Sequence, residues 1–363
     1  MNNTSKRQQH DAHPPRRTTR RLVWITAIVL VAMLAGWAGR WIRSRQRTWG
    51  LVAEYNNEMF QDIEVEVRTP SWIPEPFAER FPETNRWVFG RPTRADLHPD
   101  DPDRELAIVG TWDSLRTLIL KGKAVRDDHL AHLTGHESLE KLFLYSESIT
   151  GDGLAHLKGM EELKSLMLLS SSVTDNGLAH LKELQGLEQL ALYGQDIRGP
   201  GLAHLKDLPR LQGLLLHGTK VDDAALAYLA DLHPLCSLGI SASPVTDAGL
   251  AWLAFQPKLE WLNLSETQIT DEGLAHLAGL RNLKTLNLSE TQITDEGLAH
   301  LAGLRNLKTL YLSDTMVTDT GLEHLEAMPS LKQVWLSGTQ VTTHGAESLR
   351  EARPGLQVFM EGF

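Results

Sequence analysis

"LNLSETQITDEGLAHLAGLRNLKT" occupies residues 262–285, and the same 24 residues follow without a break at 286–309. A segment copied in tandem must be a structural unit whose two sides are equivalent, because each copy meets its neighbours in the same way. Within the second copy, Leu286 and Leu288 alternate with polar residues, the period of a half-buried strand, and Ile293 then points inward. Thr294 and Asp295 offer side-chain oxygens to the free N–H groups of a helix start, and Leu298, Leu301 and Leu304 recur at spacing three along one face. One such unit cannot bury its leucines alone. Stacked at about 4.8 Å per strand, the units join into a parallel sheet with helices along one side and leucine columns between.

The pattern LxxLxL, a β-branched residue five positions on and then usually GLxxL recurs at a strict 24-residue period. Its first leucines are Leu115, Leu139, Leu163, Leu187, Leu211, Leu235, Leu259, Leu283, Leu307 and Leu331, and a degenerate eleventh unit starts one residue late at Leu356. This pattern resembles the leucine-rich repeat family, and the ITDEGL turn is similar to the cysteine-containing subtype of bacterial membrane-anchored and F-box-associated repeat proteins. The resemblance implies an α/β fold over residues 111–363, a right-handed leucine-rich repeat solenoid (horseshoe) of strand-turn-helix repeats. It also implies a concave face that binds another protein without catalysis. Where that family carries Asn or Cys at the strand exit, this chain has Lys123, Glu147, Ser171, Gln195, Thr219, Ser243, Thr267, Thr291, Thr315 and Thr339. From Thr267 onward the threonine column is expected to bond to neighbouring turns. No F-box-like helical module accompanies the repeats, so a ubiquitin-ligase role does not carry over.

Residues 1–50 hold ten of the 36 basic residues and one of the 46 acidic ones, which leaves 26 basic against 45 acidic residues in the remainder. A body that acidic repels a phosphate backbone, so no nucleic-acid partner is expected. The basic tail 1–21 precedes a charge-free run at 22–39, which at about 1.5 Å per residue is long enough to cross most of a bilayer core. Trp24 lies near one end of the run, and Trp37 and Trp41 at the other, where their rings suit the two interfaces. Residues 22–42 read as one transmembrane helix, an uncleaved single-pass anchor rather than a cleaved signal peptide, whose apolar region is shorter. Six basic residues before the run against four after it favour an inside N-terminus and an extracytoplasmic repeat domain. Residues 43–110 break the period. The seven prolines between Pro70 and Pro102 exclude a long helix or a central strand, while Trp72, Phe77, Phe81, Trp87 and Phe89 suit a stalk and irregular cap over the first repeat. The single Cys236 permits no internal disulfide.

Histidine recurs at one helical position, in His132, His156, His180, His204, His276, His300 and His324. Rungs about 5 Å apart do not close a four-ligand site without a cysteine or acidic column beside them, so these are read as half-exposed outer-face residues, with no metal. His132 and His136 share the spacing of a zinc-protease motif, but Leu133 stands where its glutamate belongs. "NLS" at 263–265 and 287–289 fits a glycosylation acceptor yet falls in strands. No phosphate loop, nucleophile elbow or carboxylate pair appears, so neither an enzyme nor a cofactor is expected.

On the concave face the residues between the inward leucines point outward. One column reads Ile119, Phe143, Met167, Ala191, Leu215, Gly239, Asn263, Asn287, Tyr311 and Trp335; the next reads Lys121, Tyr145, Leu169, Tyr193 and His217 and then only serines. The first five repeats thus promise a solvent-facing apolar patch, and Trp261, Tyr311 and Trp335 stand out among later polar residues. Ile119, Phe143, Tyr145, Met167, Leu169, Tyr193, Leu215, His217, Trp261, Tyr311 and Trp335 are the expected protein-binding residues. Coverage of the patch by residues 68–110 or by a second copy is the competing reading. A structural or self-assembling envelope protein, pairing through its C-terminal edge at "LQVFMEGF", is the alternative function.

Overall fold

The computed structural model describes residues 93–360, apart from 98, 100–101, 110–112, 170–171, 194–195 and 233–234. The basic tail, the expected membrane anchor and the greater part of the stalk and cap lie outside the described residues. Within them, no helix is long and apolar enough to cross a membrane.

The alternating leucines form twelve strands: β1 (Arg94–Leu97), β2 (Thr117–Lys121), β3 (Lys141–Tyr145), β4 (Ser165–Leu169), β5 (Gln189–Tyr193), β6 (Gly213–His217), β7 (Ser237–Gly239), β8 (Trp261–Asn263), β9 (Thr285–Asn287), β10 (Thr309–Tyr311), β11 (Gln333–Trp335) and β12 (Gln357–Phe359). They make one sheet in sequence order, and every adjacent pair is parallel. From β2 onward the register advances one repeat per strand, as in Leu286 opposite Leu310, so each sequence column becomes a column in space. Leu286, Leu288, Ile293, Leu298 and Leu301 have no exposed surface, and the same positions of the other repeats continue them into one apolar core. Each such side chain contributes about 1.5–3 kcal/mol by leaving water.

The leucine spacing on the far side has a specific cause. Helices such as Asp152–Leu157, Pro200–Asp207 and Asp247–Phe255 are 3-10, and in several other repeats a short α-turn passes into one, as Asp295–His300 does into Leu301–Gly303. At three residues per turn, residues i and i+3 eclipse, so leucines at spacing three line the same edge.

The TDxG turn differs from its local reading as a helix cap. Asp271 accepts from the backbone N–H of Thr294 in the next repeat at 2.9 Å, and its other oxygen accepts from the Thr294 hydroxyl at 2.6 Å. The same two bonds join Asp127 to Thr150, Asp223 to Thr246, Asp247 to Thr270, Asp295 to Thr318 and Asp319 to Thr342. Capping survives in part, since Thr342 Oγ1 accepts from Gly345 N–H at 3.1 Å. The carboxylate prefers the neighbouring rung because two donors there fit its two oxygens, and charge-assisted bonds are the strong ones. The glycine follows from it. A Cβ on Gly297 would overlap the Asp271 carboxylate, and Gly273, Gly321 and Gly345 stand in the same relation to Asp247, Asp295 and Asp319.

The expected threonine ladder between turns is not formed. Thr267, Thr291, Thr315 and Thr339 each donate to a carbonyl of their own turn, those of Leu264, Leu288, Leu312 and Leu336, at 2.6–2.7 Å. The hydroxyl thus closes its own turn, whereas Ser146, Ser148 and Ser172 reach back to carbonyls of the preceding repeat at 2.7–3.0 Å.

Both ends are more regular than expected. Inside the segment taken as an irregular cap, β1 adds a strand beside β2, and Pro102 opens the helix Pro102–Val109 at the position where a missing N–H costs nothing. At the other end, β12 keeps the 24-residue step, with Val334 opposite Val358, so only the preceding loop runs one residue late. The helix side there is well closed: Arg353 donates to the carbonyls of Leu325, Glu326, Met328, Pro329 and Leu331 at 2.8–3.3 Å.

Two stability predictions follow from these contacts. Gly297→Ala is expected to destabilise the protein by about 1–3 kcal/mol through the clash with Asp271 and the disturbed bonds, yet to be nearly neutral in an Asp271→Ala background; equal costs in both backgrounds by urea unfolding would exclude the steric link. His136 is buried, and neither ring nitrogen has a hydrogen-bond partner, where most repeats place Leu or Met. His136→Leu should therefore raise the melting temperature, since it removes a buried polar group left unsatisfied.

Candidate protein-binding face

Period-two alternation turns the side chains between the core leucines to the sheet face opposite the helices. The structure brings the expected central column together but encloses it. Ile119, Phe143, Met167 and Leu215 retain 6, 3, 2 and 8% of their surface, so the expectation of a solvent-facing apolar column is corrected. Crowding explains this: in-register strands place a neighbour on each side of every residue, and the polar Asn263 and Asn287 in the same column are equally enclosed. Those asparagines tie their own strand ends, each Oδ1 accepting from the N–H of Ser265 or Ser289 at 2.9 Å, which further removes them as glycosylation candidates.

The reachable surface is the neighbouring column, where Lys121, Tyr145, Leu169, Tyr193 and His217 are half-buried. Lys121 Nζ lies 5.7 Å from the Tyr145 ring centre and 3.0 Å from Asp96, which anchors the column to β1. The Tyr193 and His217 rings are 5.6 Å apart, and His217 Nδ1 lies 2.8 Å from Ser241 Oγ. Burial, with the neighbouring Tyr145, pushes the Tyr193 hydroxyl up to about 12, and burial also raises that of Tyr145, so both stay neutral donors. Leu215 and Trp261 lean over Gly239, where a Cβ would touch Leu215 Cδ2. That glycine is where the face changes character, and there the strands also shorten from five residues to three.

Toward the C-terminus, Tyr311, Trp335 and Phe359 form a stack with ring centres 4.2 and 4.5 Å apart and planes tilted by 21° and 17°. Phe359, 39% exposed, was not among the expected residues, although a 24-residue step from Trp335 leads to it. The acidic residues Glu266, Glu290 and Asp314, which share one position per repeat at the strand exits, were also missed. The histidine column sits half-exposed or exposed on the helix side, with His132 Nε2 3.5 Å from Asp103. Among the described residues, no group of three or more His, Cys, Asp or Glu is placed to hold a metal ion.

The family profile described as "Leucine-rich repeat region" matches residues 105–358, from the helix before β2 into β12. The chain belongs to the leucine-rich repeat family. Among solved structures, an internalin (inlF) from Listeria monocytogenes is similar over 71% of this chain and 70% of its own, at 23% identity and a TM-score of 0.54. That likeness concerns the fold. An internalin C2 (inlC2) of the same organism matches 57% of this chain and 83% of its own at 28% identity and a TM-score of 0.44. A leucine-rich repeat protein of Leptospira interrogans matches 73% and 81% at 16% identity and 0.41. No curated protein matches the sequence.

The half-buried Tyr193 of this leucine-rich repeat face has a measurable signature. Its hydroxyl, ordinarily near pH 10, is raised in the folded state, so its contribution to stability is full below about pH 10 and is lost as pH climbs toward 12. Ultraviolet titration of the native protein should show a tyrosinate component near pH 12 that is missing from Tyr193→Phe. A wild-type curve complete near pH 10 would place the ring in water.

Proposed function

We propose that this protein is a non-catalytic binding module that presents the open face of its leucine-rich repeat sheet to a partner protein, anchored at the membrane through residues 22–42. The carrying observation is the half-buried column Tyr145, Leu169, Tyr193 and His217, held in register on β3 to β6 above an enclosed apolar column. Rigid, partly buried aromatic side chains lose little entropy on contact and are frequent binding anchors. The apolar run 22–39 and its tryptophans support the anchor, and the charge asymmetry about it supports an extracytoplasmic array. The ITDEGL turn supports placing the array in the cysteine-containing subtype.

A photo-crosslinking amino acid at Tyr193 of the full chain in native membranes should trap one discrete protein, whereas the same group at His276 on the helix side should not. Equal yields from the two positions, or no adduct from Tyr193, would remove the open face as the binding site. Substituting Phe143 or Leu215 by a charged residue is the wrong probe. Both are enclosed, so their loss reports on folding.

A further inference from the structure

The strand exits carry a row of residues with left-handed backbone: Gly218, Ala242, Glu266, Glu290, Asp314 and Gly338, at φ values of 64, 52, 57, 55, 56 and 71°. This conformation crowds an L side chain and suits glycine, which the row has at both ends. The turn therefore does not require an acid, yet three consecutive rungs carry one. Glu266, Glu290 and Asp314 are exposed, and among the described residues they form no ion pair with a Lys or Arg. Rungs about 4.8 Å apart hold the three charges against one another, and burial together with Glu266 and Asp314 raises the Glu290 carboxyl. Some other acids of the array are neutralised or bonded, as Glu260 is by Lys284 at 2.6 Å and Asp271 by Thr294.

A second feature lies beside this row. Asp314 stands three residues beyond Tyr311 at the exit of the same strand and two before Met316, which is 45% exposed, and Tyr311 begins the ring stack that ends in Trp335 and Phe359. Within the stack Trp335 is half-buried and Phe359 is the exposed end. The C-terminal part of the open face thus joins a strip of unneutralised negative charge to an apolar strip, and both run across the strands.

We infer that this part of the face docks a cationic and apolar segment of a partner protein, with Lys or Arg side chains against Glu266, Glu290 and Asp314 and aliphatic or aromatic ones against Met316, Trp335 and Phe359. The inference rests on the proposed role of the open face and names the chemistry of what it binds. Charge complementarity of this kind fixes orientation and speeds encounter, and salt screens it.

The test uses the full chain and a labelled synthetic peptide of alternating Arg and Leu, with a Glu-for-Arg counterpart, followed by fluorescence anisotropy. The Arg peptide should bind, and the Glu peptide should not. Affinity should fall at least tenfold in the Glu266→Gln, Glu290→Gln, Asp314→Asn variant, with no drop in melting temperature because like charges are removed. A control variant, Glu272→Gln, Glu296→Gln, Glu323→Gln, removes the same charge from the helix side and should bind as wild type. Equal losses in both variants would mean that overall charge alone attracts the peptide, and no loss in the first would exclude the acidic row; either overturns the inference. Self-association of the full chain that disappears in the first variant would make a second copy the occupant and overturn it too. A partner trapped at Tyr193 but indifferent to the acidic row would sink this inference alone, whereas absence of any trapped partner would sink the broader reading.

Discussion

The Asp271 carboxylate takes the amide and the hydroxyl of Thr294 on its two oxygens, and the next repeat leaves a glycine where any side chain would strike it. Leucine packing drives the stack together, but apolar contact is non-directional and would tolerate a range of offsets between repeats. The paired hydrogen bonds select one offset, and the leucine columns and the face columns inherit it. Where the carboxylate is missing, the backbones close up instead: a Cβ on Gly151 would meet Gly177, and one on Gly199 would meet Ala225. Asp175 shows the tolerance of the arrangement. With Arg198 in place of threonine, it accepts from the N–H groups of Arg198, Gly199 and Gly201 at 2.9–3.1 Å.

The strand columns and the leucine core are legible in the sequence because they depend on local periodicity. The carboxylate ladder is not, because each acid's partner lies in the next repeat and a nearer answer, the helix cap, uses the same letters. The histidine positions follow from helical phase alone. Side-chain depth does not: alternation says which face Phe143 occupies, while its enclosure depends on Ile119 and Met167, one strand to either side. Phe359 was hidden by the late Leu356, since the pattern was followed from the first leucine, whereas the strand register holds from Val334 to Val358. The acidic row was hidden for another reason. Nothing in the letters Ser-Glu-Thr announces a left-handed backbone at the glutamate.

The open face has two parts with different physics. On β2 to β6, longer strands carry a buried apolar column bordered by half-buried aromatic side chains, so contact there would be largely a matter of shape. On β8 to β12 the strands are shorter; β8 to β11 end in left-handed turns that carry the acidic row, and β10 to β12 bear the stacked rings. Gly239 lies between them, and Leu215 and Trp261 lean into the space that its missing side chain leaves.

Tandem copying of a 24-residue unit separates what the fold requires from what the face displays. For the core the extra rung changes little, because Asp247 to Thr270, Asp271 to Thr294 and Asp295 to Thr318 are the same junction three times. Their amide bonds measure 2.8, 2.9 and 2.8 Å, and all three hydroxyl bonds measure 2.6 Å. For the face the copy is not neutral. Glu266 and Glu290 are identical residues in left-handed turns on adjacent rungs, so duplication places like charge against like charge and adds to the burial that raises the Glu290 carboxyl. A stack held together by inward leucines and one carboxylate per junction can accept that outward repulsion, because the two sets of side chains point to opposite sides of the same backbone. The face can therefore accumulate charge and aromatic surface rung by rung while the register beneath it stays fixed.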